Sequence, residues 1–157
     1  MGIEFENNTA KVKGLLYDKA IQFLNEAGGE VVAQVKRGSR KDTSQTRNSF
    51  RYIVDENNLS VTIGSPLENA VWEEFGTGEY ALEGNGRSTP WYIPVDSYDG
   101  NKKPTYKGKV VIVYGKNGQA FYKTDGKQPS RALQNAIEKT TPKLNKRLEQ
   151  LMKEVGK

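Results

Sequence analysis

The residues best placed to do chemistry lie in Ala70-Val-Trp-Glu-Glu-Phe-Gly-Thr-Gly78, where two adjacent carboxylates precede a glycine turn. Glu73 and Glu74 are the types needed for acid–base work or for a hard cation. Neighbours one apart on a helix point about 100° away from each other, so they do not converge on one substrate atom. A hard cation asks for several convergent oxygens, which this pair cannot offer. Gly76-Thr-Gly-Glu-Tyr-Ala81 fits the relaxed dinucleotide fingerprint, but it ends a helix instead of joining a strand to one. Asp96-Ser-Tyr-Asp-Gly-Asn101 has calcium-loop residue types, yet lacks the closing Glu and the flanking helices, and reads as a turn. The chain has no His and no Cys. That removes the commonest general base, the Ser-His and Cys-His pairs, thiolate and imidazole metal sites, and disulfides. The expectation is a non-enzyme with no cofactor and no metal.

What the block does carry is charge. From Pro66 to Gly86 there are five carboxylates and no Lys or Arg. Between Lys36 and Arg51 there are six bases and one acid, a local charge of +5 that equals the net charge of the whole chain. A solvated acidic face and a solvated basic loop are the plain readings. The sharper one is that the two segments meet.

The elements that position them follow from periodicity. Val12, Leu15, Leu16, Ala20, Phe23, Leu24, Ala27, Val31 and Val35 predict one long helix over residues 10–36, with Asn8 or Thr9 as N-cap. Lys36 to Arg47 reads as a basic loop. Residues 48–54 and 59–64 predict a hairpin around Asp55-Glu-Asn-Asn58. Leu67 to Phe75 predicts a short helix stopped by Gly76. Trp91–Val95, Lys109–Tyr114 and Gln119–Lys123 predict strands that extend the same sheet, with residues 96–107 as a connecting loop. Pro129 opens a final helix to about Val155, which Pro142 should kink or split. Helical spacing places Phe23, Val31, Trp72, Phe75, Leu133 and Ile137 in the core, where Trp72→Ala or Phe75→Ala would cost about 3–5 kcal/mol.

With 157 residues the chain suits one domain, 1–157, with an extended hairpin or loop insertion at about 80–125. The fold class is α+β: an antiparallel sheet of four to five strands packed by a long N-terminal helix and a C-terminal helix, plus a short acidic helix. Apolar residues at 35% and a mean hydropathy of −0.75 imply a modest core under a large wet surface. The start lacks the basic and apolar regions of a signal peptide, and the longest apolar run is Val110 to Tyr114. A soluble protein with no membrane partner is expected.

The long helix runs into Asp42-Thr43 and Arg47-Asn48-Ser49. Ile63-Gly64-Ser65 then precedes Ala70 and Glu74-Phe-Gly-Thr77, and Gly126 and Pro129 open a helix with Leu133 and Ala136-Ile137. The order of these pieces resembles the head–tail joining, or tail-completion, family of tailed bacteriophages and prophages. Departures from the family pattern are Ser44 after Asp-Thr, Asn69 before Ala70, and Pro129-Ser-Arg-Ala132 at the helix start. The resemblance implies a virion structural protein of the neck, forming a six- or twelve-fold homo-oligomeric ring. Its neighbours would be other neck or connector proteins and the tail tube or tail terminator, with non-specific contact to DNA in the channel. It would be made in the host cytoplasm and end in the virion.

Ring subunits join unlike surfaces of one protein. The charge map offers such a pair: Arg37, Arg40, Lys41 or Arg47 of one subunit against Glu68, Glu73, Glu74 or Glu79 of the next. The alternative class is a basic nucleic-acid-binding module, in which Lys102, Lys103, Lys107 and Lys109 among Tyr98 and Tyr106 track a phosphate backbone. The acidic segment would repel that ligand.

Overall fold

The computed structural model describes residues 7–39, 44–97 and 110–155. The class is α+β as expected. The strands form two small antiparallel sheets, one of two strands and one of three ordered β3-β5-β4, instead of a single sheet. The chain divides into two compact units, the first built from residues 1–38, 50–64 and 135–157 and the second from 39–49 and 65–134.

The first unit is a hairpin under a helix. Helix α1, Thr9–Gly38, runs 30 residues without a break. Strands β1, Arg51–Asp55, and β2, Ser60–Gly64, pair from Arg51↔Gly64 to Asp55↔Ser60. Strand alternation turns Tyr52, Val54, Val61 and Ile63 to the half-buried side, and α1 packs on both strands. Gly28 makes the approach possible, since a Cβ there would fall 2.4 Å from the Tyr52 ring. The turn is held by Asp55, whose carboxylate accepts from the Asn58 side chain (2.7 Å) and from the N–H groups of Asn57 and Asn58 (3.0 and 3.1 Å). These bonds, the Asn58 side chain first, hold the Asp55 carboxyl below its usual range.

Helix α4, Ala132–Val155, closes the chain and runs unbroken through Pro142, neither split nor ended there. The hydroxyls of Thr140 and Thr141 donate to the carbonyls of Ala136 (2.8 Å) and Ile137 (2.7 Å) beside the turn that the proline deprives of a bond. Three ion pairs join α1 to α4: Lys19 with Glu154, Arg147 with Glu26 (2.7 Å), and Lys143 with Glu30 (3.0 Å). Each step forward on α1 is matched by an equal step back on α4, so the two helices run antiparallel in fixed register. Val35 and Leu151 are fully buried in this unit, with Val31 and Ala136 nearly so.

The second unit holds α2, Ser44–Ser49, within what reads in sequence as a basic loop, and α3, Glu68–Phe75. Its sheet comprises β3, Trp91–Pro94, β4, Val110–Tyr114, and the central β5, Ala120–Thr124. The register runs Trp91↔Thr124↔Val110 and Ile93↔Tyr122↔Ile112. Pro94 sits on an edge strand, where it withholds no ladder bond from a neighbour on both sides. No helix among the described residues is long and apolar enough to cross a membrane.

Candidate functional site

Helix α3 has few means of its own to stay folded. It is eight residues long, and its N-cap, Leu67, offers no side-chain acceptor. What fixes it is the segment 125–134. Gly76 ends the helix at φ 76°, its N–H donating to the Trp72 carbonyl (3.1 Å). Thr77 then bridges to Lys127 twice, its N–H to the Lys127 carbonyl (2.9 Å) and the Lys127 N–H to its hydroxyl (3.0 Å). The N–H of Glu79 donates to the Asp125 carbonyl (3.0 Å). Gly78, at φ 63°, lets the chains close to this distance: a Cβ would lie 2.1 Å from the Asp125 oxygen and 2.7 Å from the Trp91 ring.

Both carboxylates of the block serve the same joint. The Glu73 side chain pairs with Lys127, and its carbonyl accepts from the Ser130 N–H (2.6 Å) and hydroxyl (2.8 Å). Glu74 caps α4, its two oxygens accepting the N–H groups of Leu133 (2.8 Å) and Gln134 (2.9 Å). The first turn of α4 has no acidic residue of its own. A carboxylate at that position satisfies two orphan donors and complements the helix dipole. The residues that the sequence reading missed are therefore Lys127, Ser130 and the open N-terminus of α4. The missing acid in the first turn of that helix was a usable signal.

This use of Glu73 and Glu74 reverses the face of α3 that packs. Ala70, Glu73 and Glu74 share one side at helical spacing and turn inward, with Ala70 buried. Trp72 and Phe75, expected in the core, are 46% and 47% exposed, and Val71 beside them is 53% exposed. Ile137 is likewise on the surface, while Val31 is buried as expected and Phe23 and Leu133 are half-buried. Of the residues expected at the ring contact, Glu68 and Glu79 are exposed, Arg37 is exposed beside Gln34 (3.0 Å), and Arg47 is half-buried in α2. Arg40 and Lys41 lie outside the described residues, as do Lys102, Lys103, Lys107 and Lys109.

Next to the joint opens a cleft of about 620 Å³ lined by Trp72, Trp91, Thr46, Glu73 and Lys127 among others. The Arg87 guanidinium stands 5.3 Å from the Trp91 ring centre. Among the described residues no group of His, Cys, Asp or Glu could hold a metal ion. The cleft brings together no nucleophile with a base, and its one carboxylate is already paired with its one lysine. The arrangement is one that holds a shape and presents apolar and acidic surface.

Residues 3–76 match the family model described as "Bacteriophage HK97-gp10, putative tail-component". That likeness covers just under half of the chain and is to a bacteriophage tail-component family. The match begins ahead of α1 and ends at Gly76, so it takes in the whole of α1 and α3. No curated protein and no solved structure matches.

Proposed function

We propose that this protein is a non-enzymatic structural component of the neck of a tailed phage or prophage. It works as a homo-oligomeric ring that joins or completes the tail at the head–tail interface. The observation that carries this reading is the family match over residues 3–76. Two features of the structure support it. The residues most suggestive of chemistry, Glu73 and Glu74, are spent on holding α3 to the segment 125–134. The apolar side of α3 meanwhile stays at the surface, which marks an interaction face more often than an accident of folding.

Closing a ring needs one surface of the subunit to complement a different one. Glu68 and Glu79 remain exposed for a cationic partner, so the charged part of the contact rests on these two carboxylates. Exposed pairs contribute only about 0–1 kcal/mol each and set register more than affinity. Sedimentation velocity on the purified protein across protein and salt concentrations tests the reading. It should show a discrete closed oligomer that dissociates as salt rises. A monomer at every concentration up to the millimolar range would refute it.

A further inference from the structure

Helix α1 is longer than the hairpin it covers. Every residue from Asn7 to Asp18 is exposed, and burial begins only beyond them. Thr9–Leu16 thus projects about 12 Å as an overhang beyond Tyr17, whose hydroxyl still meets the hairpin turn. It is not polar all round. Val12, Leu15 and Leu16, exposed at 45%, 42% and 41%, continue the same stripe that is buried further along at Ala27, Val31 and Val35. An apolar stripe of period 3.6 is the mark of a helix face that packs, and these three side chains remain exposed, while Tyr17 just beyond them donates to the Glu56 carbonyl of the hairpin turn (3.4 Å). Lys11 and Lys13 flank it, and no acid occurs between Asn7 and Tyr17.

Helix α3 offers the converse. Its exposed side presents Val71, Trp72 and Phe75 at one-, three- and four-residue spacings, and Leu82 joins them, its N–H bonded to the Phe75 carbonyl (3.0 Å). The rim is acidic: Glu68, Glu79 and Glu83 are all exposed. One surface is apolar with a cationic border and the other apolar with an anionic border, at matching helical spacing. Ridges of one helix then lie in the grooves of the other.

We propose that the overhanging start of α1 in one copy of this chain docks on the exposed face of α3 in the next. In this contact Val12, Leu15 and Leu16 meet Val71, Trp72 and Phe75, while Lys11 and Lys13 meet Glu68 and Glu79. The proposal rests on the ring reading and names its contact. It accounts for both exposed apolar faces at once. Arg37, at the opposite end of α1, offers charge without neighbouring exposed apolar side chains and is the poorer partner.

The absence of cysteine makes the test clean. Leu16→Cys and Phe75→Cys are made in separate chains, one of them carrying a mass tag, and both positions are exposed enough to tolerate the change. The two are mixed and oxidised, and the oligomer is imaged by negative stain in parallel. Docking predicts a disulfide-linked pair of tagged and untagged chains, and a ladder of linked chains from the double variant. Lys11→Glu with Lys13→Glu should weaken assembly about fivefold for each lost pair. Glu68→Lys with Glu79→Lys in the same chain should restore part of it. Rings without mixed cross-links overturn the docking but leave the ring reading intact. Cross-links only within a single double-variant chain also overturn it, because the overhang is then covered by its own molecule. A protein that remains monomeric, with no ring and no cross-link, overturns both.

Discussion

Replacing Gly78 with alanine probes the joint that organises the second unit. Gly78 has φ 63°, and Gly84, a few residues on, has φ 67°. Left-handed backbone costs a non-glycine residue about 1–2 kcal/mol, so both substitutions carry that cost. They differ in what surrounds them. Nothing lies within 4 Å of a Cβ at Gly84, whereas one at Gly78 would sit 2.1 Å from the Asp125 carbonyl oxygen and 2.7 Å from the Trp91 ring. The backbone cannot retreat without losing the Glu79–Asp125 hydrogen bond, about 1 kcal/mol, and the residual overpacking adds about 1–3 kcal/mol. Gly84→Ala should therefore lose about 1–2 kcal/mol and Gly78→Ala about 3–6 kcal/mol. Urea unfolding followed by tryptophan fluorescence reads this directly, because both tryptophans, Trp72 and Trp91, belong to the unit in question. Equal shifts of the two midpoints would show that residues 77–79 and 125–127 do not meet, and the account of Glu73 and Glu74 would fall with them.

Glu74→Ala should cost about 1–2 kcal/mol by uncapping α4, and Glu74→Gln less, since it keeps one acceptor; equal stability of all three proteins would rule the cap out. Trp72→Ala should cost about 1–2 kcal/mol, well short of a buried tryptophan, and leave a folded protein with weakened assembly, both readable from one melting and sedimentation series. In the first unit the hydrogen bond from Arg147 lowers the Glu26 pKa from 4.5 to about 2. With the folded value depressed, the pair stabilises the protein above pH 4.5 and loses that contribution as pH falls towards 2. Both side chains are about a third exposed, so solvent screening keeps this contribution small. Glu26→Gln should remove this part of the acid limb from a stability–pH curve, and an unchanged limb would exclude it.

Much of the architecture was legible because it is written in local periodicity and turn chemistry. The stripe from Val12 to Val35 marks α1, Asp55-Glu-Asn-Asn58 marks the hairpin turn, and Gly76 stops α3. Tertiary pairing is not local, so the division of five strands into two sheets was not legible. The orientation of α3 was misjudged for a physical reason. Apolar residues were assigned to the core and carboxylates to solvent, but a helix of eight residues without a side-chain cap gains more from fixed polar partners than from turning its aromatics inward. Those partners, Lys127, Ser130 and the start of α4, lie more than fifty residues away in the chain. Glu73 and Glu74 stand out in the sequence as unusual, and in the structure each has a partner within the chain.

The central proposal is that the protein is part of a phage neck. Interrupting its gene in the phage or prophage that encodes it, and imaging the resulting lysate by electron microscopy, tests that claim most directly. The account predicts separate heads and tails, with joined particles restored when the intact protein is supplied. Normal numbers of complete, infectious virions from the interrupted gene would contradict it.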